Sequence, residues 1–333
     1  MARARGTQRA CSGRLTVLTR VDPLADARGR LVGLDDADAP VTAPVIVGCS
    51  GGPDSTALLA LVADRGLAPI AVHVDHGLRD GSADEADAVA ALAATLGTAF
   101  DARRVDVGRG GNLEARARTA RYAALDTAAD DHGASAVLVG HTADDQAETV
   151  VLALLRGSAA SGLAGMAVRR DRIIRPLLRL RRTETEAICV GLGLAPVRDP
   201  SNDDVSLRRA WVRHEVLPLL GIGAGRDLVP VLTRQAEVLR TENEFLDALA
   251  GTAWPPASGA APVSGAAPAA PLARLPVALA RRAVRCWLGA PPPSLDEVER
   301  VLAVARGDAR ATELAGGRHV RRSGGHLVLT VPQ

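Results

Sequence analysis

The chain has 333 residues, 47% of them hydrophobic, and a formal net charge of +2, which suits a packed protein of about two domains. All 40 basic residues are arginine, which excludes mechanisms that need an enzyme lysine, such as a Walker-type phosphate loop or Schiff-base catalysis. The four cysteines lie far apart without a CxxC pair, so neither a zinc ribbon, an iron–sulfur cluster nor a disulfide framework is indicated.

The hydropathy of the chain and the composition of its N-terminal segment indicate where in the cell we expect the protein. No apolar run approaches the roughly 20 residues of a membrane helix. Residues 1–43 contain no sustained apolar core, so we expect no secretory signal and predict a cytoplasmic protein that has no membrane partner. The near-neutral charge argues neither for nor against nucleic acid. The oligomeric state is open, and a homodimer is one assembly that the sequence permits.

From residue 44 to about residue 156 the sequence alternates short β-rich runs with longer helical ones. The expected strands are residues 45–47, 70–74, 100–107 and 136–139, and the expected helices are residues 56–64, 83–96, 112–131 and a segment from near residue 144. This alternation predicts an α/β fold, with βαβ units and a parallel sheet covered on both faces. Ligands of such sheets bind at the carboxyl ends of the strands, where polar stretches occur at residues 50–55, 73–79 and 141–148.

The second half of the chain is mainly helical. Residues 207–220 predict a basic helix ended by Pro218 and the glycines after it. Residues 227–250 predict a helix with leucines on roughly one face: Leu228, Leu232, Leu239, Leu246 and Leu249. We divide the chain into an N-terminal extension (1–43), a catalytic domain (44–220), a connecting helix (221–250), an Ala/Pro/Gly-rich mobile linker (251–273) and a small C-terminal domain of helices that ends in a hairpin (274–333).

The stretch VIVGCSGGPDSTALLALV, residues 45–62, runs from a strand through a turn with few side chains into a helix. A phosphate group needs several convergent N–H donors, which a helix N-terminus supplies together with a favourable dipole. Gly51 and Gly52 permit close backbone approach, and Ser50 and Ser55 add hydroxyl donors. The stretch therefore predicts a cradle for a nucleoside triphosphate.

The turn also contains Pro53 and Asp54. A carboxylate repels phosphate, so we expect Asp54 to hold Mg²⁺, which bridges phosphate oxygens. A plain turn is the alternative, because Ser, Gly, Pro and Asp are all favoured turn residues. The strand before the turn and the helix after it favour the nucleotide site.

Ser50 to Ser55 fit the SGGxDS pattern and resemble the PP-loop ATP pyrophosphatases. Further stretches resemble the tRNA(Ile)-lysidine synthetase family: HVDHGLRDGSADEA (73–86), NLEARARTARYAAL (112–125), GHTADDQAETVVLALLRGSAASGLAGM (140–166), RPLL (175–178) and DPSN (199–202). The likeness covers about residues 44–220 and, more weakly, residues 275–329. It implies a Rossmann-like PP-loop domain that uses ATP and Mg²⁺. It also implies adenylation of carbon 2 of the wobble cytidine in tRNA(Ile) with a CAU anticodon, followed by displacement of AMP by free L-lysine.

The resemblance assigns Asp145 and Glu148 to the lysine substrate. They lie three residues apart, on one face of a helix. The attacking ε-amine must be neutral although free lysine is mostly protonated near pH 7, so a carboxylate that binds the amine and accepts its proton suits the reaction. Asp144 either joins this pair or caps the helix.

Other candidates at the carboxyl edge of the sheet are basic. His141 follows a predicted strand and contacts either the nucleotide or its local backbone, and His76 and Arg79 occupy a similar position. By resemblance, Arg118 and Arg121 neutralise phosphate or contact the lysine carboxylate; a solvated helix face is the alternative.

A basic stretch containing Arg208, Arg209 and Arg213, with Trp211 interleaved, suits contacts to tRNA phosphates and stacking on a splayed base. Family members usually carry Arg-Asn where this chain has Arg209-Ala210. Further arginines extend the candidate tRNA surface: Arg179, Arg181, Arg182, Arg318, Arg321 and Arg322. A solvated arginine-rich helix is the alternative.

Three competing functions are less consistent with these residues. Thiolation of tRNA by another PP-loop enzyme would want paired cysteines, which this chain lacks. Small-metabolite amidation uses a similar loop, but the stretches DDQAET and RGS point away from it. A nucleotide-sensing module without chemistry would need neither Asp54 nor the acidic pair.

Overall fold

The computed structural model describes residues 22–77, 82–108, 110–111, 113–197, 204–254 and 266–332. Arg79, the DPSN stretch and residues 255–265 of the predicted linker lie outside the described residues. The chain forms two compact units, residues 1–142 with 168–199 and residues 143–167 with 200–333. The predicted division into domains stays a prediction.

Strands and helices alternate in the first part of the described chain and helices prevail in the second. The strands are β1 Val45–Gly48, β2 Pro69–Asp75, β3 Ala99–Arg104, β4 Val137–Val139, β5 Arg169–Arg170, β6 Ile173–Ile174, β7 Ala266–Pro268, β8 Ala311–Glu313, β9 His319–Ser323 and β10 His326–Thr330. The α-helices are α1 Ala25–Arg28, α2 Pro53–Asp64, α3 Ser82–Thr95, α4 Leu113–Asp131, α5 Ala143–Leu155, α6 Ala160–Leu163, α7 Arg182–Gly191, α8 Arg208–Trp211, α9 Leu217–Ala224, α10 Val229–Ala253, α11 Ala269–Arg274, α12 Val277–Leu288 and α13 Leu295–Arg306.

The first unit contains a six-stranded sheet in the described residues, in the order β3-β2-β1-β4-β6-β5. Its strand pairs are parallel except for β5 with β6, so the predicted parallel sheet is confirmed. The chain moves outward from β1 to β3 and then returns to place β4 on the other side of β1. Such a reversal of strand order opens a crevice at the carboxyl ends of the two strands.

Strand β1 is buried on both faces because helices cover the sheet on both sides. Val45 and Val47 belong to one apolar cluster with residues of α2, whereas Ile46 belongs to another with Leu125 of α4. This alternation follows from the two-residue repeat of a strand, and each fully buried side chain contributes about 1.5–3 kcal/mol. The burial fixes the carboxyl end of β1, where the glycine turn begins.

The described part of the N-terminal extension, residues 22–43, packs on the first unit. Leu24, Ala27 and Leu34 are buried in the same apolar cluster as α2. Arg169 donates a hydrogen bond of 2.7 Å to the carbonyl of Ala39. These apolar residues are too few and too irregularly spaced to predict an element from periodicity.

In the second unit, α5 and α10 pack together. The prediction of an apolar leucine face on α10 is wrong at Leu249, which is 41% exposed. The helix instead buries Val229, Ala236, Asn243 and Ala250, which recur every seven residues. The two alanines in this repeat let neighbouring helices approach closely.

The predicted basic helix is longer and less regular than expected. A π-helical segment, Val212–Val216, separates α8 from α9, and the chain stays helical through Pro218 until the left-handed Gly225. The predicted end at Pro218 and the glycines after it is wrong at Pro218, which lies in the first turn of α9, and agrees with the structure at the glycines, because the helix ends at Gly225. Among the described residues, no single helix has the length and apolar composition of a membrane span; Arg208–Ala224 and Val229–Ala253, bent by 95°, satisfy those two criteria only as a pair.

The C-terminal part of the second unit contains a four-stranded sheet in the order β7-β10-β9-β8. The predicted hairpin is present as β9 and β10, joined by Gly324 and Gly325, whose positive φ values suit a tight two-residue turn. Strand β7 and helix α11 occupy the end of the segment predicted to be a linker. Propensity alone does not reveal them because the same Ala and Pro residues are common in linkers.

Candidate active site

The glycine turn after β1 is held by its own hydroxyl and carbonyl groups. The backbone N–H of Ser50 donates to the hydroxyl of Ser55 at 3.2 Å, and that hydroxyl donates to the carbonyl of Gly52 at 3.0 Å. Gly51 has a φ of +80°, which favours glycine. Among the described residues no side chain caps the N-terminus of α2, which begins at Pro53. Its first N–H groups are therefore available to an anion.

Gly140, at the end of β4, lets this strand approach the first turn of α2. A Cβ at residue 140 would lie 3.0 Å from backbone atoms of Asp54 and Ser55, which cannot rotate away. The next residue, His141, is partly exposed. The sequence analysis missed the role of Gly140, although a glycine directly after a buried strand is a signal of close backbone approach.

Asp54 lies at the start of α2, and its side chain is 20% exposed. The hydroxyl of Thr185 donates to Oδ1, and the Nε atom of Arg182 lies 3.4 Å from Oδ2, which is long for a charge-assisted hydrogen bond. The described residues contain no group of three His, Cys, Asp or Glu side chains suited to a metal ion. Mg²⁺ commonly takes one or two carboxylates and completes its shell with phosphate oxygens and water. Asp54 fits the role of a single protein ligand.

Helix α4 carries a cluster of cationic side chains. Burial lowers the pKa of the Arg121 guanidinium, and the like charge of Arg118 lowers this pKa further. Arg118 donates to the hydroxyl of Tyr122 at 3.3 Å, and its guanidinium lies 5.1 Å from the centre of that ring. Arg175, 5% exposed, also interacts with Tyr122. Within the described residues neither Arg118 nor Arg121 pairs with a carboxylate, so the cluster suits an anionic ligand.

Two histidines lie near the carboxyl end of β2: His73 within the strand and His76 just after it. His73 is 3% exposed, and its Nδ1 atom lies 3.2 Å from the carbonyl of Cys49. Burial, and then the charge of Arg121, lower the pKa of His76 below its usual value. His76 is therefore neutral at pH 7 and adds no positive charge to the cluster.

The described thiols nearest the turn are poor nucleophiles. Burial raises the pKa of the Cys49 thiol. Burial and the neighbouring carboxylate of Asp54 raise the pKa of the Cys189 thiol to about 11. Both thiols are protonated at neutral pH, which disfavours sulfur relay through either of them.

In the second unit, Asp145 and Glu148 lie one turn apart on α5 and are buried. Arg213 binds the Glu148 carboxylate through both of its oxygens, with Nε at 2.7 Å and Nη2 at 3.2 Å, and lies 3.7 Å from Asp145. Arg209 approaches Glu148 at 3.3 Å and donates to the hydroxyl of Thr149 at 2.9 Å. The side chain of Glu148 is 1% exposed, so its negative charge is held almost entirely by protein groups.

The other predicted site residues lie in different surroundings. Asp144 is partly exposed near the start of α5, Arg208 is exposed, and Trp211 is 37% exposed. Arg318 is 5% exposed and donates to the carbonyls of Leu288 and Pro291 at 3.0 and 3.2 Å, which indicates a structural role. The tRNA contacts predicted for Arg208, Arg209, Trp211 and Arg213 stay predictions.

Comparisons with known proteins agree with this geometry. The PP-loop domain family matches residues 34–220, so the sheet and its glycine turn define an ATP-utilising PP-loop protein. A family described as the TilS substrate binding domain matches residues 268–328. The structure resembles the U34-tRNA thiolase NcsA of Methanococcus maripaludis, with a TM-score of 0.55 and 17% identity over 66% of this chain and 80% of the thiolase, which supports the fold alone.

Relatives identify the family more narrowly. The tRNA(Ile)-lysidine synthase of Thermobifida fusca is 45% identical over 309 residues, which cover 88% of this chain and 93% of that protein. The tRNA(Ile)-lysidine synthase of Salinispora tropica is 44% identical over 313 residues, covering 89% and 93% of the two chains. The chain belongs to the tRNA(Ile)-lysidine synthase family.

Proposed function

We propose that this chain is an ATP-dependent ligase that forms lysidine in tRNA(Ile). The observation that carries the proposal is the buried acidic pair, Asp145 and Glu148, in a chain that also contains the phosphate turn of a PP-loop enzyme. Family membership supports the same reaction. The modified base would read AUA in place of AUG.

In the first step, oxygen 2 of the wobble cytidine attacks the α-phosphorus of ATP, and the bond to pyrophosphate breaks. Residues 50–55 bind the phosphates through backbone N–H and hydroxyl groups, and Arg118 and Arg121 balance their charge. Asp54 would hold Mg²⁺, and the ion would supply electrostatic stabilisation to the phosphate oxygens. His141 contacts the nucleotide. Three observations support these assignments: the first N–H groups of α2 carry no side-chain cap, Arg118 and Arg121 pair with no carboxylate among the described residues, and the Asp54 carboxylate is partly exposed.

In the second step, the ε-amine of lysine attacks carbon 2 of the adenylated cytidine. The new carbon–nitrogen bond forms as the carbon–oxygen bond breaks, and AMP leaves with the electron pair. Asp145 and Glu148 bind the amine and accept its proton, and Asp144 assists at the start of the helix. The esterified oxygen is a good leaving group, whereas the oxide of free cytidine is a poor one.

The rest of the tRNA contacts residues other than those that bind ATP and lysine. We assign Arg208 and Trp211 to contacts with phosphate or base because both are exposed. The C-terminal domain, residues 274–333, and its exposed Arg321 extend this contact. A cytoplasmic location and a homodimer stay predictions.

Incubation with radiolabelled lysine, ATP and transcribed tRNA tests the function. We expect label in the RNA when its anticodon is CAU, and none when the first anticodon base is uridine or when ATP is left out. A protein that binds ATP without releasing pyrophosphate in the presence of the CAU tRNA would be a nucleotide-binding module, and the proposal would be wrong.

A further inference from the structure

The acidic pair of α5 is already neutralised by two arginines of the same unit. Asp145 and Glu148 carry two negative charges, and Arg209 and Arg213 carry two positive charges within 4 Å of them. A site that binds a substrate ammonium ordinarily presents unpaired negative charge. These four side chains, which we call the arginine–carboxylate cluster, present no unpaired negative charge.

The contact between Arg213 and Glu148 is built into the fold. Arg213 lies in the π-helical segment Val212–Val216, and such segments are rare and frequently mark functional sites. Its two hydrogen bonds fix the plane of the Glu148 carboxylate. Because Glu148 is buried, solvent screens the charges of the pair only weakly.

We propose that Arg213, supported by Arg209, is a positioning residue that makes the acidic pair accept the lysine side chain as a neutral amine. This inference rests on the proposed function. The amine attacks only when unprotonated, yet roughly one lysine molecule in a few thousand is neutral near pH 7. A nearby guanidinium disfavours the ammonium form, whereas the carboxylates still accept hydrogen bonds from a neutral amine. The arginines thus oppose binding of the abundant ammonium and favour the form that reacts.

Further charges lie on the elements that pack against α5. They are Arg208, His214 and Glu215 near or in the π-helical segment, Asp144 on α5 itself, and Arg234, Glu237, Arg240, Glu242, Glu244 and Asp247 on α10. Arg240 donates to the carbonyls of Ala164 and Met166. The test therefore changes one charge at a time and compares variants of the same chain.

The decisive variant is Arg213→Gln, which removes the charge and keeps a hydrogen-bonding group. We expect lysine to bind about tenfold more tightly at pH 7, while the lysine-dependent step becomes about 100-fold slower and the midpoint of its pH profile rises by about one pH unit. Arg213→Lys restores the midpoint because it restores the charge. Arg209→Gln raises the midpoint of the pH profile as Arg213→Gln does, but by a smaller amount. Pyrophosphate release without lysine reports that the variants are folded.

Two controls separate the charge from the shape of the site. Arg234→Gln removes an exposed arginine of α10 and leaves lysine binding and the midpoint unchanged. The alcohol analogue of lysine, in which a hydroxyl replaces the terminal amine, binds the wild type and Arg213→Gln equally because it carries no terminal charge.

The sign of the change in affinity decides between the proposal and a structural role. Weaker lysine binding in Arg213→Gln with an unchanged midpoint would show that Arg213 only holds the helix, and would overturn the proposal. Wild-type protein that attaches no labelled lysine to RNA at any pH would overturn the proposed function itself, which is a different failure.

Discussion

Two pairs of arginines in this protein lie in opposite electrostatic surroundings. Arg118 and Arg121 on α4 pair with no carboxylate among the described residues, whereas Arg209 and Arg213 contact Glu148. Each of these four guanidinium groups is either removed from solvent or close to another charged side chain. One region thus leaves positive charge without a carboxylate partner among the described residues, and the other balances its buried negative charge with arginines of the same unit.

This difference has an energetic consequence. Desolvation and the like charge of Arg118 disfavour the charge of Arg121, which is partly buried and pairs with no carboxylate among the described residues, so we expect this cation to reduce stability until an anion binds. Breaking a buried pair by removing one partner costs several kcal/mol, roughly 3–5 in typical cases. Substitutions in the two regions should therefore change stability in opposite directions.

The largest expected effect is that of Asp54→Ala. Loss of the carboxylate removes the proposed Mg²⁺ ligand, so we expect tRNA-dependent pyrophosphate release to fall about 1000-fold while the fold is retained. Asp64→Ala is a matched control on the same helix, because Asp64 pairs with the exposed Arg28 at the surface. Normal turnover by Asp54→Ala would contradict the metal role.

Glu148→Gln tests the region in which Arg209 and Arg213 pair with a buried carboxylate. We expect use of lysine to fall about 100-fold with adenylation largely retained, because the carboxylate acts only in the second step. The free energy of unfolding should also fall, by about 3 kcal/mol, since Arg209 and Arg213 lose their negative partner. Chemical denaturation and separate assays of the two steps measure these changes. An unchanged dependence of the rate on lysine would remove Glu148 from the site.

Arg121→Met tests the cationic side. Removing this partly buried charge, which has no carboxylate partner among the described residues, should raise the free energy of unfolding without ligand by about 1 kcal/mol, while the KM for ATP rises about tenfold. Arg103→Met is the control: Arg103 pairs with Asp101 and Asp131, so its loss should lower stability and leave the KM for ATP unchanged. If Arg121→Met lowers the free energy of unfolding, the guanidinium has favourable partners in the folded state. The two pairs of arginines would then no longer differ in their effect on stability.

The smallest effect concerns His76. Its pKa is lowered by burial and then by Arg121, so the unfolded state binds a proton more readily than the folded state. Stability should therefore fall as the pH decreases from about 6.5 towards the lower pKa of the folded state. In Arg121→Met the pKa of His76 should rise and this loss should shrink. An NMR titration of the ring measures both values, and an identical pKa in the two proteins would contradict the coupling.

Local signals in the sequence predict much of the first unit. The strands at residues 45–47, 70–74 and 136–139 follow from short apolar runs, and the predicted bounds agree with β1, β2 and β4 within one residue. The glycine turn is also local: its phosphate chemistry can be inferred from adjacent residues alone. The signals for these features lie in contiguous residues, which explains why the sequence reveals them.

The charge partners could not be predicted in the same way. Asp54 and Arg182 are 128 residues apart, and Glu148 and Arg213 are 65 residues apart. A basic stretch with a tryptophan resembles a tRNA surface, whereas in the structure Arg209 and Arg213 contact a buried carboxylate. The π-helical segment carries no marker in composition or periodicity. These contacts depend on tertiary packing, which a single sequence does not display.

We propose that the PP-loop turn activates the RNA base and that the acidic pair delivers lysine. ATP labelled at the α-phosphate tests this division directly when AMP bound to tRNA is measured before and after addition of lysine. We expect the wild type to form AMP–tRNA that lysine discharges, Glu148→Gln to form AMP–tRNA that persists, and Asp54→Ala to form none. Persistent AMP–tRNA with Asp54→Ala, or its absence with a folded Glu148→Gln, would contradict the account.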